Sequence, residues 1–272
     1  MDQFPQCETL FLEKQGPALF VTINRPDVRN AMSLQMVAEL STVFSQVEND
    51  ASIRAVVIRG ADGHFCAGGD IKDMAGARGQ KSAEGEEDPF YRLNRAFGQM
   101  IQQVNESSKV VIAVTEGAVM GGGFGLACVS DVAIAGPTAR FGMPETTLGV
   151  IPAQIAPFVV ERIGLTQARR LALLGLRVDA DEACRLGIVH QVAESEVEID
   201  ELLGHAVESV RQCAPNATAQ TKALLHRVGH ESMSGLLDSA AEKFAEAIRS
   251  DEGSEGTLAF MQKRSASWAS SE

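Results

Sequence analysis

The stretch "MGGGFGLAC" (Met120–Cys128) lies between two apolar runs, "VVIAVTEG" (Val110–Gly117) and "DVAIAG" (Asp131–Gly136). The flanking runs have the composition of short buried strands, and the glycines fall where a strand hands over to a helix. Glycine lets backbone approach a ligand closely, and a helix start adds free N–H donors with a dipole that favours negative charge. Tight packing of the turn is the alternative reading. The spacing matches neither the dinucleotide fingerprint G-x-G-x-x-G nor a phosphate loop ending in G-K-[ST].

Working outward, the first two thirds of the chain alternate β-like runs with helical patterns. "LFVTIN" (Leu19–Asn24) precedes a helix near Ser33–Val47, and "RAVVIRG" (Arg54–Gly60) precedes one near Pro89–Val104. This alternation predicts an α/β fold with largely parallel, doubly covered strands. From Gln154 onward the pattern is mostly helical, with segments near Thr166–Leu174, Ala180–Leu186, Glu196–Cys213, Ala217–Arg227, Met233–Arg249 and Gly256–Trp268. The expected organisation is a core over residues 1–200 and a helical C-terminal region over 201–272. Between core elements, "AGARGQKSAEGEEDP" (Ala75–Pro89) is rich in glycine and charge, which suits either a lid or a plain solvated loop.

The chain has 272 residues, 45% of them hydrophobic, enough for a sizeable core. Its 24 basic and 36 acidic residues give a formal charge of −12, which argues against broad contact with nucleic acid or anionic lipid. An anionic ligand must therefore meet a local basic cluster. Five cysteines without a C-x-x-C pair suggest reduced thiols in a cytoplasmic protein, with Cys66 and Cys128 as small apolar fillers. The start "MDQFPQCETL" does not read as a secretory signal, and no apolar run reaches the roughly 20 residues of a membrane span. Nothing in the pattern calls for a metal. His64 reads as a structural or solvated loop histidine rather than a base, and Ser130 and Asp131 as the end of a helix and the start of a strand.

A second strand exit resembles the first: "RAVVIRG" is followed by "ADGHFCAGGDIKDM" (Ala61–Met74), with Gly68 and Gly69 just ahead of Asp70. Two glycine-lined exits suit two backbone N–H groups around one oxygen, an oxyanion hole. The third stretch, "RFGMPETTLGVIPAQIAPFV" (Arg140–Val159), sets Glu145 among Phe141, Met143, Leu148, Val150 and Ile151. Such a carboxylate is either a helix-start acid on the surface or a desolvated acid/base.

Taken together and in this order, these stretches resemble the enoyl-CoA hydratase/isomerase (crotonase) family. "INRPDVRNAMS" (Ile23–Ser33) resembles its opening motif, "FCAGGDIKDM" and "GAVMGGGFGLAC" its two oxyanion segments, "FGMPETTLGVIP" its catalytic-acid segment, and "LAFMQKR" (Leu258–Arg264) its C-terminal CoA-contacting helix. The resemblance implies a spiral core of repeated ββα units, C-terminal helices, and assembly as a homotrimer or a hexamer built from two trimers. It places Gly69 and Gly122 in the oxyanion hole and Glu145 as the catalytic group. It assigns CoA contacts to Arg29, Ala67, Asp70, Ile71 and Lys72, with Phe260 and Lys263 often delivered by a neighbouring subunit. No cofactor is implied beyond the CoA of the substrate.

The departure from the family pattern is informative. Many hydratases of the family carry a first glutamate just after the glycine run, where this chain has Gly125, so Glu145 stands alone. One carboxylate suffices for hydration if it takes a proton from water and returns it to Cα, and it equally suits double-bond isomerisation. "GGGFGLAC" with "PETTLGVIPAQIAPFVVERIG" resembles the single-glutamate subgroup acting on methylglutaconyl-CoA in leucine breakdown or isohexenylglutaconyl-CoA in acyclic terpene breakdown. A branched, carboxylated acyl chain calls for a cation near its pocket, for which Arg92 and Arg95 are candidates. Phe90, Phe97, Met120 and Phe124, with Gly125, are candidates to shape that pocket, or else belong to the core. Enoyl-CoA isomerisation and a non-enzymatic CoA-ester or RNA-binding role are the alternatives, the acidic balance opposing RNA.

Overall fold

A computed structural model describes residues 4–70, 72–73, 75–76 and 87–269. Strands β1 (Leu10–Gln15) and β2 (Ala18–Ile23) form a hairpin, followed by helix α1 (Leu34–Glu48) and β3 (Ala55–Gly60). Helix α2 (Pro89–Glu106) leads to β4 (Val110–Thr115) and β5 (Ala118–Met120), then α3 (Gly122–Val129), β6 (Val132–Ala135) and β7 (Arg140–Gly142). The chain continues through α4 (Ala156–Leu174), β8 (Arg177–Asp179), α5 (Ala180–Leu186) and β9 (Gln191–Val192). It finishes with α6 (Glu196–Gln212), α7 (Pro215–His226), α8 (Met233–Arg249) and α9 (Asp251–Met261).

Local chemistry accounts for the helix starts that matter to the site. Ser33 Oγ accepts from the Met36 N–H and opens α1, whose Met36, Val37, Leu40, Val43, Phe44 and Val47 fall on one buried face. Asp88 accepts from the N–H groups of Phe90 and Tyr91, and Pro89 takes the first position of α2, where no N–H is needed.

The main sheet runs β1-β2-β3-β4-β6-β9 and is parallel beyond the first hairpin. Its strands are covered on both faces: Val56, Ile58, Val111 and Ala113 point into the larger core, while Val57, Ile112 and Val114 point into a second core with Ile199 and Leu203 of α6. A smaller sheet, β5-β7-β8, stacks beside it. Parallel bridges of Met32 with Gly69 and Cys66 with Val119 extend that stack, so each turn of chain lies on the one before it. The result is the crotonase-type spiral of ββα turns, with a mostly helical C-terminal region.

Several expectations need correction. The helix expected over 166–174 begins at Ala156 and passes a break at Gly164, where φ is 73°. The helix expected over 256–268 begins at Asp251, with Ser250 Oγ accepting from the Gly253 N–H, and stops at Met261, followed by a separate 3-10 turn at Ser267–Ala269. The 200/201 division falls inside α6, whose Ile199 and Leu203 both pack on the main sheet. Residues 77–86 of the expected loop, and its lid role with them, lie outside the described residues. No helix among the described residues is long and apolar enough to cross a membrane.

Candidate active site

The two glycine turns are brought together by strand pairing. Phe65 and Cys66 donate to the carbonyls of Glu116 and Ala118, and Met120 donates back to the Cys66 carbonyl. Gly68 therefore lies against the end of β5. A β-carbon on Gly68 would be 3.6 Å from the Met120 carbonyl oxygen, and one on Gly121 would be 3.6 Å from Gly68 Cα and 2.9 Å from Glu145 Oε1. Gly121 adopts φ 50° and ψ −116°, a conformation that favours glycine. Three segments distant in sequence thus meet around residues 68, 121 and 145.

The next residue of each turn offers its N–H. Gly122 opens α3, so its N–H has no acceptor within the helix. At Gly69, the paired Met32 donates to Gly68 and accepts from Asp70, which leaves the Gly69 N–H directed away from that pairing. Among the described residues neither N–H donates to another backbone group.

Glu145 sits on a 3-10 turn, Pro144–Leu148, closed by Gly149 in the left-handed region. Its Oε2 is buried without a hydrogen-bond partner among the described residues, and burial pushes its carboxyl above the usual carboxylate range. Gly69, Gly122 and Glu145 all line one cavity of about 480 Å³, whose walls are mostly apolar. Phe90 and Phe97 contribute to them, as expected.

The other expected pocket residues lie elsewhere. Met120 is buried beside Gly142, and Phe124 packs edge-on against Phe141 at 6.4 Å in the core. Gly125 faces inward, where a β-carbon would overlap Ile155 Cγ2 and meet Ile101 Cδ1 at 2.8 Å. Arg92 lines an adjoining depression of about 410 Å³ together with Lys72, and Arg95 lies behind the cavity wall near Gly98. From α2, Phe90, Tyr91, Leu93, Asn94 and Phe97 line the cavity, and Arg92 and Arg95 do not.

Among the expected CoA contacts, Arg29 is exposed, and its carbonyl accepts from the Ala67 N–H. The Asp70 side chain serves the protein itself, pairing with Arg25 at 2.7 Å and accepting from the Lys72 N–H. Burial raises the Asp70 carboxyl, but these partners outweigh it and hold the group below its ordinary range. Ile71 lies outside the described residues. Phe260, 85% exposed at the end of α9, and Lys263 just beyond it do not line the cavity in this chain.

Further residues hold or line the site. Arg25 Nη1 donates to the Ala31 carbonyl, and buried Asn30 donates to the carbonyls of Ala61 and His64 while accepting from the Arg25 N–H. These bonds hold the "NRPDVRN" loop beside the Gly68–Gly69 turn. Asn94 and Gln154 join across the cavity wall by a 2.8 Å hydrogen bond. The i, i+4, i+7 spacing of Phe90, Asn94 and Phe97 is the available signal for Asn94. His64 is structural, its Nδ1 accepting from the Ala118 N–H at 3.1 Å. Burial pushes the Cys66 thiol up to about 11 and the Cys128 thiol to about 12, as suits packing groups.

Comparison with known proteins identifies the family. Residues 13–271 match the family described as Enoyl-CoA hydratase/isomerase. The short-chain-enoyl-CoA hydratase of Clostridium acetobutylicum is 32% identical over 95% of this chain and 97% of its own length. A solved enoyl-CoA hydratase/isomerase from Marinobacter aquaeolei is 82% identical, with TM-score 0.95 over 97% of this chain and all of its own. Pseudomonas aeruginosa AtuE is 56% identical, with TM-score 0.92 over the same shares. The chain belongs to the enoyl-CoA hydratase/isomerase family. It is an enzyme of the enoyl-CoA hydratase type, a carbon–oxygen lyase by class.

Proposed function

We propose that the cavity hydrates a branched, carboxylated α,β-unsaturated acyl-CoA of the isohexenylglutaconyl-CoA or 3-methylglutaconyl-CoA type, with Glu145 as the sole acid–base group. The reaction places this cytoplasmic enzyme in acyclic terpene or leucine breakdown. The observation that carries the reading is the buried, unpartnered Oε2 of Glu145 in the same cavity as Gly69 and Gly122.

In this reading the thioester oxygen accepts from the Gly69 and Gly122 N–H groups. The Glu145 carboxylate removes a proton from water as the water oxygen bonds to Cβ. The π electrons move onto the thioester as an enolate, whose negative oxygen the two donors stabilise by about 3 kcal/mol each. Glu145 then returns the proton to Cα, so water is added across the double bond and the enzyme is regenerated. A carboxyl pushed upward by burial is suited to both halves of that exchange.

Arg29 and Lys72 meet the CoA phosphates, with the backbone from Ala67 through Asp70 to Ile71 along the adenine. Phe260 and Lys263 complete this site from a neighbouring copy in a homotrimer or hexamer, a reading supported by the exposure of Phe260 and Met261 and by neither Phe260 nor Lys263 lining the chain's own cavity.

A second reading, double-bond isomerisation, rests on Gly125, where Ile155 and Ile101 fill the space a second carboxylate needs. Turnover in ¹⁸O-labelled water separates the two. Hydration incorporates the label and Glu145→Gln lowers it by about 10² to 10⁴ while CoA-ester binding persists; a shifted double bond without label supports isomerisation, and unchanged turnover in the variant rejects both.

A further inference from the structure

The amide pair Asn94–Gln154 is a polar patch on an otherwise largely apolar stretch of cavity wall. Gln154 Nε2 donates to Asn94 Oδ1 at 2.8 Å, and both residues line the cavity. The Asn94 amide nitrogen has no acceptor among the described residues, so its donors are free. Helix α2, which carries Asn94, is shaped to admit Gln154: a β-carbon on buried Gly98 would overlap Gln154 Oε1, and Arg95 Nη1 lies 2.8 Å from the same β-carbon position. A glycine inside a helix is less favourable than alanine. At Gly98 that cost accompanies the seating of a glutamine amide, with a guanidinium behind it adding positive potential.

The location is defined along α2. The Phe97 ring lies 3.2 Å from where a β-carbon on Gly122 would be, and Asn94 is three residues earlier on the same stripe. At about 1.5 Å rise per residue, Asn94 sits some 4 to 5 Å along the wall from that ring. This is the span of a few carbon atoms of an acyl chain.

We infer that Asn94 and Gln154 form a subsite for a second carboxylate on the acyl chain, donating amide hydrogens to it with Arg95 supporting from behind. The inference rests on the hydratase reading above and names the groups that read its substrate. A purely hydrocarbon chain gains nothing from free donors here, whereas a carboxylate left without them loses charge-assisted hydrogen bonds.

The test compares kcat/KM for 3-methylglutaconyl-CoA and crotonyl-CoA in the parent, Gln154→Met and Asn94→Asp, each checked by thermal melting. Gln154→Met is expected to lower the carboxylated-to-uncharged ratio at least about tenfold, mainly through KM. Asn94→Asp is expected to lower it further, because it sets like charges together. An equal fall on both esters, or an unchanged ratio, overturns the subsite while leaving the hydratase reading in place. A parent enzyme that hydrates crotonyl-CoA and neither 3-methylglutaconyl-CoA nor isohexenylglutaconyl-CoA overturns the carboxylated-substrate reading itself.

Discussion

Ile155 fills the space beside Gly125: a β-carbon at residue 125 would overlap its Cγ2, with Ile101 Cδ1 2.8 Å away. The absent first glutamate is thus a matter of packing as well as of one side chain, since α3, α2 and the start of α4 close over the position it would need. Gly125→Ala is expected to cost about 1 to 3 kcal/mol, the range for overpacking a filled core. Gly125→Glu is expected to cost more, because it also buries a charge, and adding Ile155→Gly is expected to restore part of the loss. Thermal melts of the three variants check this. A Gly125→Glu protein as stable as the parent would contradict it.

Glu145 lends itself to a stability test with a defined sign. Its carboxyl titrates above the ordinary value of 4.5 in the folded chain because burial disfavours the charge. The folded state therefore holds a proton that the unfolded state has released, and stability falls as pH rises from 4.5 through the folded value. Glu145→Gln removes that penalty. The variant is expected to melt about 2 °C or more above the parent at pH 8, with the gap closing toward pH 4, while hydration falls by about 10² to 10⁴. A parent that melts higher than the variant at pH 8 defeats the argument.

Gly121 and Gly122 are adjacent but face different constraints. A side chain on Gly121 meets both an unfavourable backbone conformation and Glu145 Oε1, so Gly121→Ala is expected to lose stability by more than about 1 kcal/mol. A side chain on Gly122 meets the movable ring of Phe97 and the sulfur of Met32. Gly122→Ala is expected to fold with a melting temperature close to the parent's but to lose turnover, because its methyl narrows the thioester seat. Paired melting and activity measurements distinguish the two, and equal melting losses would show that one common packing effect governs both.

The Arg25–Asp70 pair ties the loop after β2 to the residue following Gly69. Asp70→Asn is expected to cost about 1 to 3 kcal/mol, the value of a charged hydrogen bond at a mostly buried position. Because the Asp70 carboxyl titrates below its ordinary 3.8, the full contribution is present above that pH and is lost as pH falls through the folded value. The difference between parent and variant in denaturant melts is expected to be level from pH 5 to 8 and to shrink toward pH 3. A difference that grows on acidification contradicts the pairing.

Much of the fold was legible because its strongest signals are local. The runs at Leu19, Arg54, Val110 and Asp131 are buried on both faces and read as strands without any partner in view. Capping by Ser33 and Asp88 likewise marks helix starts within a few residues. The short strands β5, β7, β8 and β9 escaped, since two or three residues carry no periodicity and are extended only because a neighbour pairs with them. At the site, the glycine turns and Glu145 stood out by composition. Arg92 and Arg95 were favoured by charge alone, whereas the helical stripe through Phe90, Asn94 and Phe97 decides which side chains reach the cavity.

By itself the sequence determined the alternation of strands and helices, the two glycine-lined strand exits and the single acidic residue between prolines 144 and 152, because these depend on neighbours a few positions apart. Tertiary structure alone decided that residues 68, 121 and 145 meet, that Ile155 occupies the space beside Gly125, and that Asn94 pairs with Gln154. Those relationships join segments roughly 25 to 80 residues apart, and only the stacking of one spiral turn on the next brings such segments into contact.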